Sequence, residues 1–397
     1  MYDNNLKKLE SRIDYFAMQK VNHFSPTISP APKNIAANEI ESIGEALRYY
    51  ASRGVQKVVI QPKYMGSYCD IYLHREIEKT YFVSRNGHVI RHIDTASAQE
   101  KCVSLHQKLA KYWEEGAEII LIQAELMPWT ALGKGLVEKE FKGYAFSHQT
   151  HHDFLSQSNI YEKIRAVKES AEFKTFQADA KTLKSKELQE KYKMHIIRQY
   201  ESLMQLEVLE LPQYERDIAL YKSQVEIYGE DSELYFKPFN ILKIIDKNGK
   251  ETLWNNNFTG FEAVSEDAQL LVNLQDMEDG SAKAYDFFNN LVTEKYEGVM
   301  VKPLETFTPN LPPAFKVRNN DYLQMIYGVN FQKDYAYYLE KRNVKRKLEC
   351  SINDWAISHE MLQIPNHTIG EENYLMKLLC YKRIMQEEIE NGLDTRL

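Results

Sequence analysis

Lys63 is the residue of this sequence whose type and surroundings most directly suggest chemistry. It lies in residues 62–67 (Pro-Lys-Tyr-Met-Gly-Ser), directly after an apolar stretch. A lysine amine is protonated near neutral pH, so it becomes a nucleophile only where neighbouring cations favour its neutral form. Gly66 would let the backbone come close to a bound ligand. Because about one or two Lys-x-x-Gly matches are expected by chance in such a chain, a surface turn explains this motif unless other residues support it.

Arg85 and Glu125 are the next candidates. Arg85 precedes Asn86 and Gly87, a pair typical of hairpin turns, and is either exposed or in contact with a ribose or phosphate. Glu125 follows the apolar run 119–122 (Ile-Ile-Leu-Ile), where a carboxylate without a partner would cost free energy. Its partner is a cation in a structural ion pair, a ribose hydroxyl or a metal ion.

Strand alternation groups four further charged residues. In residues 296–303 it places Glu297 on one face and Lys302 on the other. Glu297 could hold a divalent cation, and Lys302 could point at a phosphate. The same period places Lys316 and Arg318 on one face of a strand. Two neighbouring cations repel unless an anion lies between them, so a phosphate is a natural partner.

The composition narrows the class of protein. Of 397 residues, 43% are hydrophobic and 27% charged, which suits a buried core and argues against wholesale disorder. The net charge of −7 argues against a long, non-specific DNA-coating surface, although one basic face is enough to bind phosphates. The four cysteines form no Cys-x-x-Cys pair, which predicts reduced thiols in a cytoplasmic protein. The polar N-terminus predicts no signal peptide, and the apolar runs are too short to span a membrane.

Strand-like and helix-like segments follow one another along the chain. Alternating apolar residues bounded by turns predict strands, whereas amphipathic spacing predicts helices at 38–51 and 98–114. The stretch 151–232 is rich in Lys, Glu, Gln and Leu, with Pro212 and Gly229 as its breakers, and predicts an all-helical insert. We therefore predict an α+β fold with an antiparallel core. Its parts are a core of residues 1–150 and 233–330, a helical insert of residues 151–232 and a C-terminal helical module of residues 331–397.

Taken together and in this order, the motifs resemble the signature of the covalent nucleotidyltransferases, a superfamily of DNA ligases, RNA ligases and mRNA-capping enzymes. The motifs are residues 63–67 (Lys-Tyr-Met-Gly-Ser), 85–87 (Arg-Asn-Gly), 124–129 (Ala-Glu-Leu-Met-Pro-Trp), 297–302 (Glu-Gly-Val-Met-Val-Lys) and 316–318 (Lys-Val-Arg). Residues 235–242 are similar to the aromatic strand of that superfamily, where one ring stacks on the purine. We assign that ring to Phe239, with Phe236 as the alternative.

A narrower resemblance is to the ligase domain of the bacterial polynucleotide kinase–phosphatase RNA repair enzyme. It rests on residues 52–55, 63–67, 124–129, 316–318 and 321–328, and it spans nearly the whole chain. The chain has no room for kinase and phosphatase domains and lacks a Walker-type phosphate loop, so a stand-alone ligase or ligase subunit is expected. Gln61 and Pro62 stand where the resemblance leads us to expect an acidic pair, and Tyr68 where it leads us to expect a basic residue.

The resemblance implies an ATP-dependent RNA ligase with a nucleotidyltransferase (ATP-grasp-like) core. Lys63 would become adenylylated, AMP would pass to an RNA 5′-phosphate, and a 3′-hydroxyl would displace it to seal the strand. The same resemblance implies Mg²⁺ or Mn²⁺ at Glu297. It also implies nucleotide contacts from a wider set of residues, namely Lys63, Gly66, Arg85, Glu125, Phe239, Glu297, Lys302, Lys316 and Arg318. A methyltransferase or kinase–phosphatase repair partner is possible, and a membrane is not implied.

Several alternatives remain open at the level of sequence. One is a subunit that adenylylates itself but needs a partner to seal. Another is a DNA ligase or a GTP-using capping enzyme, although the helical tail lacks the β-barrel that usually follows the core of those enzymes. A non-catalytic RNA-binding scaffold would require that the charged set serve no chemistry. His148, His151 and His152 lack a carboxylate or cysteine at metal spacing, which argues against a metal site there. The basic run near Lys345 is interpreted as a solvated helix face, with a track for RNA phosphates as the alternative.

Overall fold

The computed structural model describes residues 2–129, 137–228, 233–370 and 372–397. Gly229 and the rest of the predicted insert boundary at 229–232 therefore lie outside the described residues. Within these ranges, ten strands form two five-stranded sheets. The strands are β1 (Ser29–Pro30), β2 (Lys57–Lys63), β3 (Ser67–His74), β4 (Tyr81–Ser84), β5 (Ala117–Met127), β6 (Tyr235–Asp246), β7 (Glu251–Leu253), β8 (Leu270–Asn273), β9 (Gly298–Pro303) and β10 (Phe315–Arg318).

Helices surround these sheets and account for most of the remaining described residues. They are α1 (Tyr2–Met18), α2 (Ile43–Ala51), α3 (Thr95–Lys101), α4 (Val103–Lys108), α5 (Ala110–Glu114), α6 (Gly143–Ser158), α7 (Ile160–Glu169), α8 (Ala171–Thr182), α9 (Ser185–Lys191), α10 (Met194–Gln205), α11 (Leu211–Tyr228), α12 (Asn257–Val264), α13 (Met277–Thr293), α14 (Asn320–Tyr327), α15 (Tyr335–Lys341), α16 (Lys345–Gln363) and α17 (Tyr374–Asn391).

The first sheet has the strand order β1-β10-β9-β2-β8 and is antiparallel except for the pair β1–β10. Alternate residues of its central strands, such as Val58 and Val299, join a buried apolar cluster that includes side chains of α2 and α13. Because side chains alternate along a strand, the residues between them face the opposite side of the sheet. Gln61, Lys302 and Lys316 line one cavity on that side.

The second sheet is antiparallel throughout, with the order β4-β3-β5-β6-β7. One face carries apolar residues such as Ile71 and Ile122, which pack with side chains from the segment α3–α5. This segment was predicted as one helix. It is three short helices, and Cys102 and Leu109, at the two breaks, are buried in the same cluster. The predicted antiparallel α+β fold is confirmed.

The remaining helices follow two strands of the core. Helices α6–α11 lie between β5 and β6. A π-helix over Val137–Lys142 runs directly into α6, so helix already begins before the predicted start of the insert at residue 151. Helices α14–α17 follow β10, and α16 and α17 pack with α1 around Met361 and Leu379. The division into core, insert and C-terminal module stays a prediction. None of the helices in the described part of the chain is long and apolar enough to cross a bilayer.

Candidate active site

A cavity of about 340 Å³ is lined by residues of both sheets and brings together six of the nine residues that the sequence singled out. These six are Lys63, Arg85, Glu125, Phe239, Lys302 and Lys316. They come from β2, β5, β6, β9 and β10 and from the turn after β4. Gly66, Glu297 and Arg318 are not part of the cavity lining, although each lies on or next to a strand that contributes to it.

Lys63 ends β2 and pairs in register with Gly298 of β9. Its Nζ atom lies 2.8 Å from Oε1 of Glu297. Glu297 is only 2% exposed, and its main-chain oxygen accepts hydrogen bonds from the main-chain and side-chain nitrogens of Asn319. The ion pair thus holds the predicted nucleophile, Lys63, beside the buried carboxylate of Glu297.

Gly298 and Gly66 each allow a close approach between strands. A Cβ atom on Gly298, whose φ is +156°, would lie 2.0 Å from the main-chain oxygen of Val317. A Cβ atom on Gly66 would lie 2.7 Å from the main-chain oxygen of Leu126. We predicted that Gly66 lets the backbone approach a nucleotide. In the structure its close neighbour is β5, so its backbone brings the end of β2 next to Glu125, and direct nucleotide contact stays a prediction.

Glu125 is a partly buried carboxylate that faces Lys63. Its Oε2 atom is buried and has no hydrogen-bond partner among the described residues. Burial and the charge of Glu297 raise the pKa of Glu125 to about 7, although Lys63 and Arg85 act in the opposite direction. Because its buried oxygen has no partner, the Glu125 carboxylate can accept a hydrogen bond from a hydroxyl group or bind a metal ion.

Arg85 lines the cavity, and its side chain is held in place by Thr27 and Glu390. Its Nη2 atom donates a hydrogen bond of 3.0 Å to the Thr27 hydroxyl and lies 3.5 Å from a carboxylate oxygen of Glu390 in α17. Glu390 also accepts a 3.0 Å hydrogen bond from Arg383. The guanidinium remains about half exposed, so it is free to contact a ligand.

The two aromatic candidates differ in position. Phe239 lines the cavity, and the Nζ atom of Lys302 lies 4.6 Å from its ring centroid. Phe236 instead stacks on Phe82 at 4.9 Å and packs against the buried cluster of the second sheet. Burial lowers the pKa of Lys302 to about 7, so this amine loses its charge readily when no anion is near. Of the two rings, only that of Phe239 is placed to stack on a ligand in the cavity.

Lys316 and Arg318 share a strand face but have different surroundings. Lys316 lines the cavity, and burial together with the charges of Arg318 and Lys63 holds its pKa well below the usual value. Arg318 is paired with Glu41, which accepts hydrogen bonds from its main-chain nitrogen (2.9 Å) and its Nε (3.1 Å). Arg342 donates to the same carboxylate. The anion expected between the two cations is, on the Arg318 side, a protein carboxylate, and phosphate contact by Arg318 stays a prediction.

Two polar residues of the cavity, Gln61 and Tyr68, were noted in the sequence only as departures from the expected pattern and were not assigned to the site. Gln61 is buried, and its Nε2 atom donates to the main-chain oxygen of Asn257 (3.1 Å) and to Oε1 of Gln269 (3.2 Å). Its Oε1 atom has no partner among the described residues. Tyr68 donates to Asp70 (2.6 Å) and lines the cavity next to Phe239. For Gln61 a signal existed, because strand alternation puts it on the same face as Lys63.

The three histidines of α6 form no metal site among the described residues. His148 and His151 share the hydroxyl of Tyr214, at 2.6 and 3.3 Å. In the described part of the chain, the group with metal-ligand spacing is instead Cys350, Asp354 and Glu390. Arg383 lies 3.7 Å from Asp354 and 3.0 Å from Glu390, so this group already has a cation beside it.

The chain is similar to known proteins over nearly its whole length. Residues 11–369 match the family described as "PNKP adenylyltransferase domain, ligase domain". A chain of "Structure of Pnkp1/Rnl/Hen1 complex" is 46% identical with a TM-score of 0.94, and the match covers 98% of this chain and 99% of that chain. A chain of "Structure of the Pnkp1/Rnl/Hen1 RNA repair complex" is 48% identical with a TM-score of 0.91, again over 98% and 99% of the two chains. No curated protein sequence matches.

Proposed function

The chain belongs to the family of PNKP adenylyltransferase ligase domains, and on that premise we propose that it is an ATP-dependent RNA ligase of RNA repair that works through a lysyl-AMP at Lys63. The observation that carries the proposal is the position of the Lys63 amine. Lys63 lines one cavity together with Lys302, Lys316 and Phe239. A nucleophile, phosphate-binding cations and a stacking surface are the parts that nucleotidyl transfer needs.

In the first step, the neutral amine of Lys63 attacks the α-phosphorus of ATP. A nitrogen–phosphorus bond forms, the bond to the bridging oxygen breaks, and pyrophosphate leaves. The cations Lys302 and Lys316 offset the charge that accumulates on the phosphate oxygens. An RNA 5′-phosphate oxygen then displaces Lys63 from the phosphorus, and the RNA 3′-hydroxyl finally displaces AMP, which joins the two ends.

A divalent cation fits the two carboxylates near Lys63. Glu125 has a buried oxygen without a partner, and Glu297 presents a second carboxylate next to Lys63. Carboxylate oxygens are the ligands that Mg²⁺ and Mn²⁺ prefer, and such an ion would neutralise charge on the α-phosphate. If Glu297 holds the ion, Glu125 and Arg85 remain available for the ribose hydroxyls.

Gln61 supports ATP rather than GTP as the nucleotide. Both N–H groups of its amide are used by Asn257 and Gln269, so the remaining oxygen can only accept a hydrogen bond. Adenine presents an amino group at its 6-position, whereas guanine presents an oxygen there. With the base stacked on Phe239, this buried acceptor would favour adenine and leave guanine without a partner.

The partners of the ligase are part of the proposal. The similar structures are described as complexes with Pnkp1 and Hen1. We infer that this chain works with kinase–phosphatase and methyltransferase proteins on RNA with 5′-phosphate and 3′-hydroxyl ends, and that it does so in the cytoplasm. The four cysteines are buried and unpaired, which suits a reducing compartment.

Mass spectrometry after incubation with ATP and Mg²⁺ tests the proposal. We expect the wild-type chain to gain the mass of one AMP and Lys63→Ala to gain none. Lys57→Ala is the matched control, because Lys57 is exposed at the other end of β2 and should leave the adduct intact. A wild-type chain that never gains the adduct would refute the covalent route. Sealing of a nicked RNA with and without the two partner proteins then separates a self-sufficient ligase from one that only adenylylates itself.

A further inference from the structure

Lys347 is a cation of the cavity that the family motifs do not include. It lies in the first turn of α16, and its side chain lines the cavity, whereas its neighbours Lys345 and Arg346 are exposed. Burial lowers the pKa of Lys347 to about 8, and the charges of Arg85 and Arg318 add to that effect. The basic run that was interpreted as a solvated helix face therefore contains one residue that points into the site.

Lys347 and Lys316 converge on a single oxygen atom. The Nζ atoms of Lys347 and Lys316 donate to the main-chain oxygen of Leu397, at 2.6 and 3.1 Å. Arg318 donates to the main-chain oxygen of Arg396 at 3.0 Å. Cations from two separate parts of the chain, β10 and α16, thus hold the main-chain oxygens of one short segment, residues 394–397.

The oxygen of Leu397 lies where the two lysines of the cavity converge. The carboxylate of Asp394 in the same segment is engaged by Arg396 at 2.9 Å. The carboxylate nearest to Arg318 belongs to Glu41, which also serves Arg342. A phosphate oxygen would accept the same two hydrogen bonds from Lys316 and Lys347, and its negative charge would favour the charged form of both amines.

We propose that Lys347 binds the polyphosphate of ATP together with Lys316, and that residues 394–397 occupy this position until the nucleotide displaces them. The inference rests on the proposed function, because it assigns the phosphates that leave as pyrophosphate to these two lysines. Thr395 and Leu397 line the same cavity as Lys63 and Phe239, so the segment borders the space that a nucleotide would enter. The segment competes with ATP, and its removal strengthens ATP binding.

The dependence of adduct formation on ATP concentration tests both parts of the inference. Deletion of residues 394–397 is expected to lower the apparent KM for ATP. In that deletion background, Lys347→Met is expected to raise the KM about tenfold, which is the size of a lost charge-assisted hydrogen bond. Lys347→Arg should restore most of the loss, and Lys345→Met, an exposed change on the same helix, should have no effect.

A binding measurement separates this inference from the proposed chemistry. Calorimetry on the Lys63→Ala variant compares a non-hydrolysable ATP analogue with AMP, and it needs no adduct to form. We expect Lys347→Met to weaken binding of the analogue about tenfold and binding of AMP less than about twofold, because AMP lacks the phosphates in question. This comparison also serves as the test if the deletion variant does not fold.

Three results would overturn the inference. A KM for ATP that stays the same or falls on Lys347→Met in the deletion background would exclude phosphate binding by this residue. Equal losses for the analogue and for AMP would indicate a general disturbance of the site. An unchanged KM after deletion of residues 394–397 would show that the segment does not compete. A wild-type chain that binds the analogue but forms no adduct would instead refute the proposed function and leave the role of Lys347 intact.

Discussion

Lys63 and Glu297 form an ion pair across two neighbouring strands, with 2.8 Å between Nζ and Oε1. The pair forms because Lys63, the last residue of β2, is in register with Gly298, the first residue of β9. Glu297 directly precedes Gly298 and therefore lies close to Lys63. The Lys63 amine must lose a proton before it can attack a phosphate. A divalent cation held by Glu297 would weaken the ion pair and so favour the neutral amine.

Gly298→Ala should disrupt the ion pair between Lys63 and Glu297. A Cβ atom there would lie 2.0 Å from the main-chain oxygen of Val317, and backbone rather than a flexible side chain would have to move. We expect a loss of roughly 2 kcal/mol or more in the free energy of unfolding, measured in urea, together with loss of the AMP adduct. Gly370→Ala has open space around its Cβ and should be nearly neutral. Equal stability of the two variants would contradict the packing argument.

Gln61→Leu tests recognition of the base. The change keeps the approximate volume but removes the buried acceptor, so the KM for ATP should rise about tenfold and discrimination against GTP should fall. Labelling with ATP and GTP in parallel measures both effects. Gln189→Leu, an exposed change on α9, is the control. Unchanged selectivity in the Gln61 variant would place the adenine amino group elsewhere.

Phe239→Ala and Phe236→Ala should behave in opposite ways. Phe239 lines the cavity, so its loss should raise the KM for ATP about tenfold and change stability little. Phe236 stacks on Phe82 beside a buried cluster, so its loss should lower the free energy of unfolding by about 2 kcal/mol or more. Urea unfolding and adduct kinetics on both variants distinguish the roles, and the reverse pattern would move the stacking ring to Phe236.

Glu125→Gln should change how stability depends on pH. The folded-state pKa of Glu125 is about 7, against an ordinary value of 4.5, because burial disfavours its charged form. The unfolded chain therefore releases this proton first, and wild-type stability falls as pH rises from about 4.5 to about 7. The glutamine variant lacks this loss, so its advantage should grow with pH and reach about 1–3 kcal/mol at pH 8.

Thermal and urea unfolding at pH 5 and pH 8 measure that difference. Glu266→Gln is the matched control, because the Glu266 side chain is 88% exposed. We expect the Glu125 variant to be more stable yet slower in adduct formation, as is common when a charged site residue is replaced. A pH-independent difference between the variant and the wild type would mean that Glu125 is already ionised at pH 5.

Strand alternation explains why so much of the site could be predicted from the sequence. It puts Lys63, Lys302 and Lys316 on a different face from their apolar neighbours, and the structure places all three on one cavity. The choice between Phe239 and Phe236 was harder, because both lie in one aromatic strand with irregular pairing to β5. Periodicity alone could not say which ring faces the cavity.

The sequence by itself determined the residue types of the site and the strands that carry them, because both depend on local spacing. Only the tertiary structure decided which polar groups meet. Arg318 meets Glu41 across 277 positions of the chain, and Lys347 meets Leu397 across 50. Such pairs depend on how sheets and helices pack against one another. Contacts between residues that are distant in the chain produce no periodic pattern in the sequence. The roles of Arg318 and Lys347 therefore could not be told apart until the chain was folded.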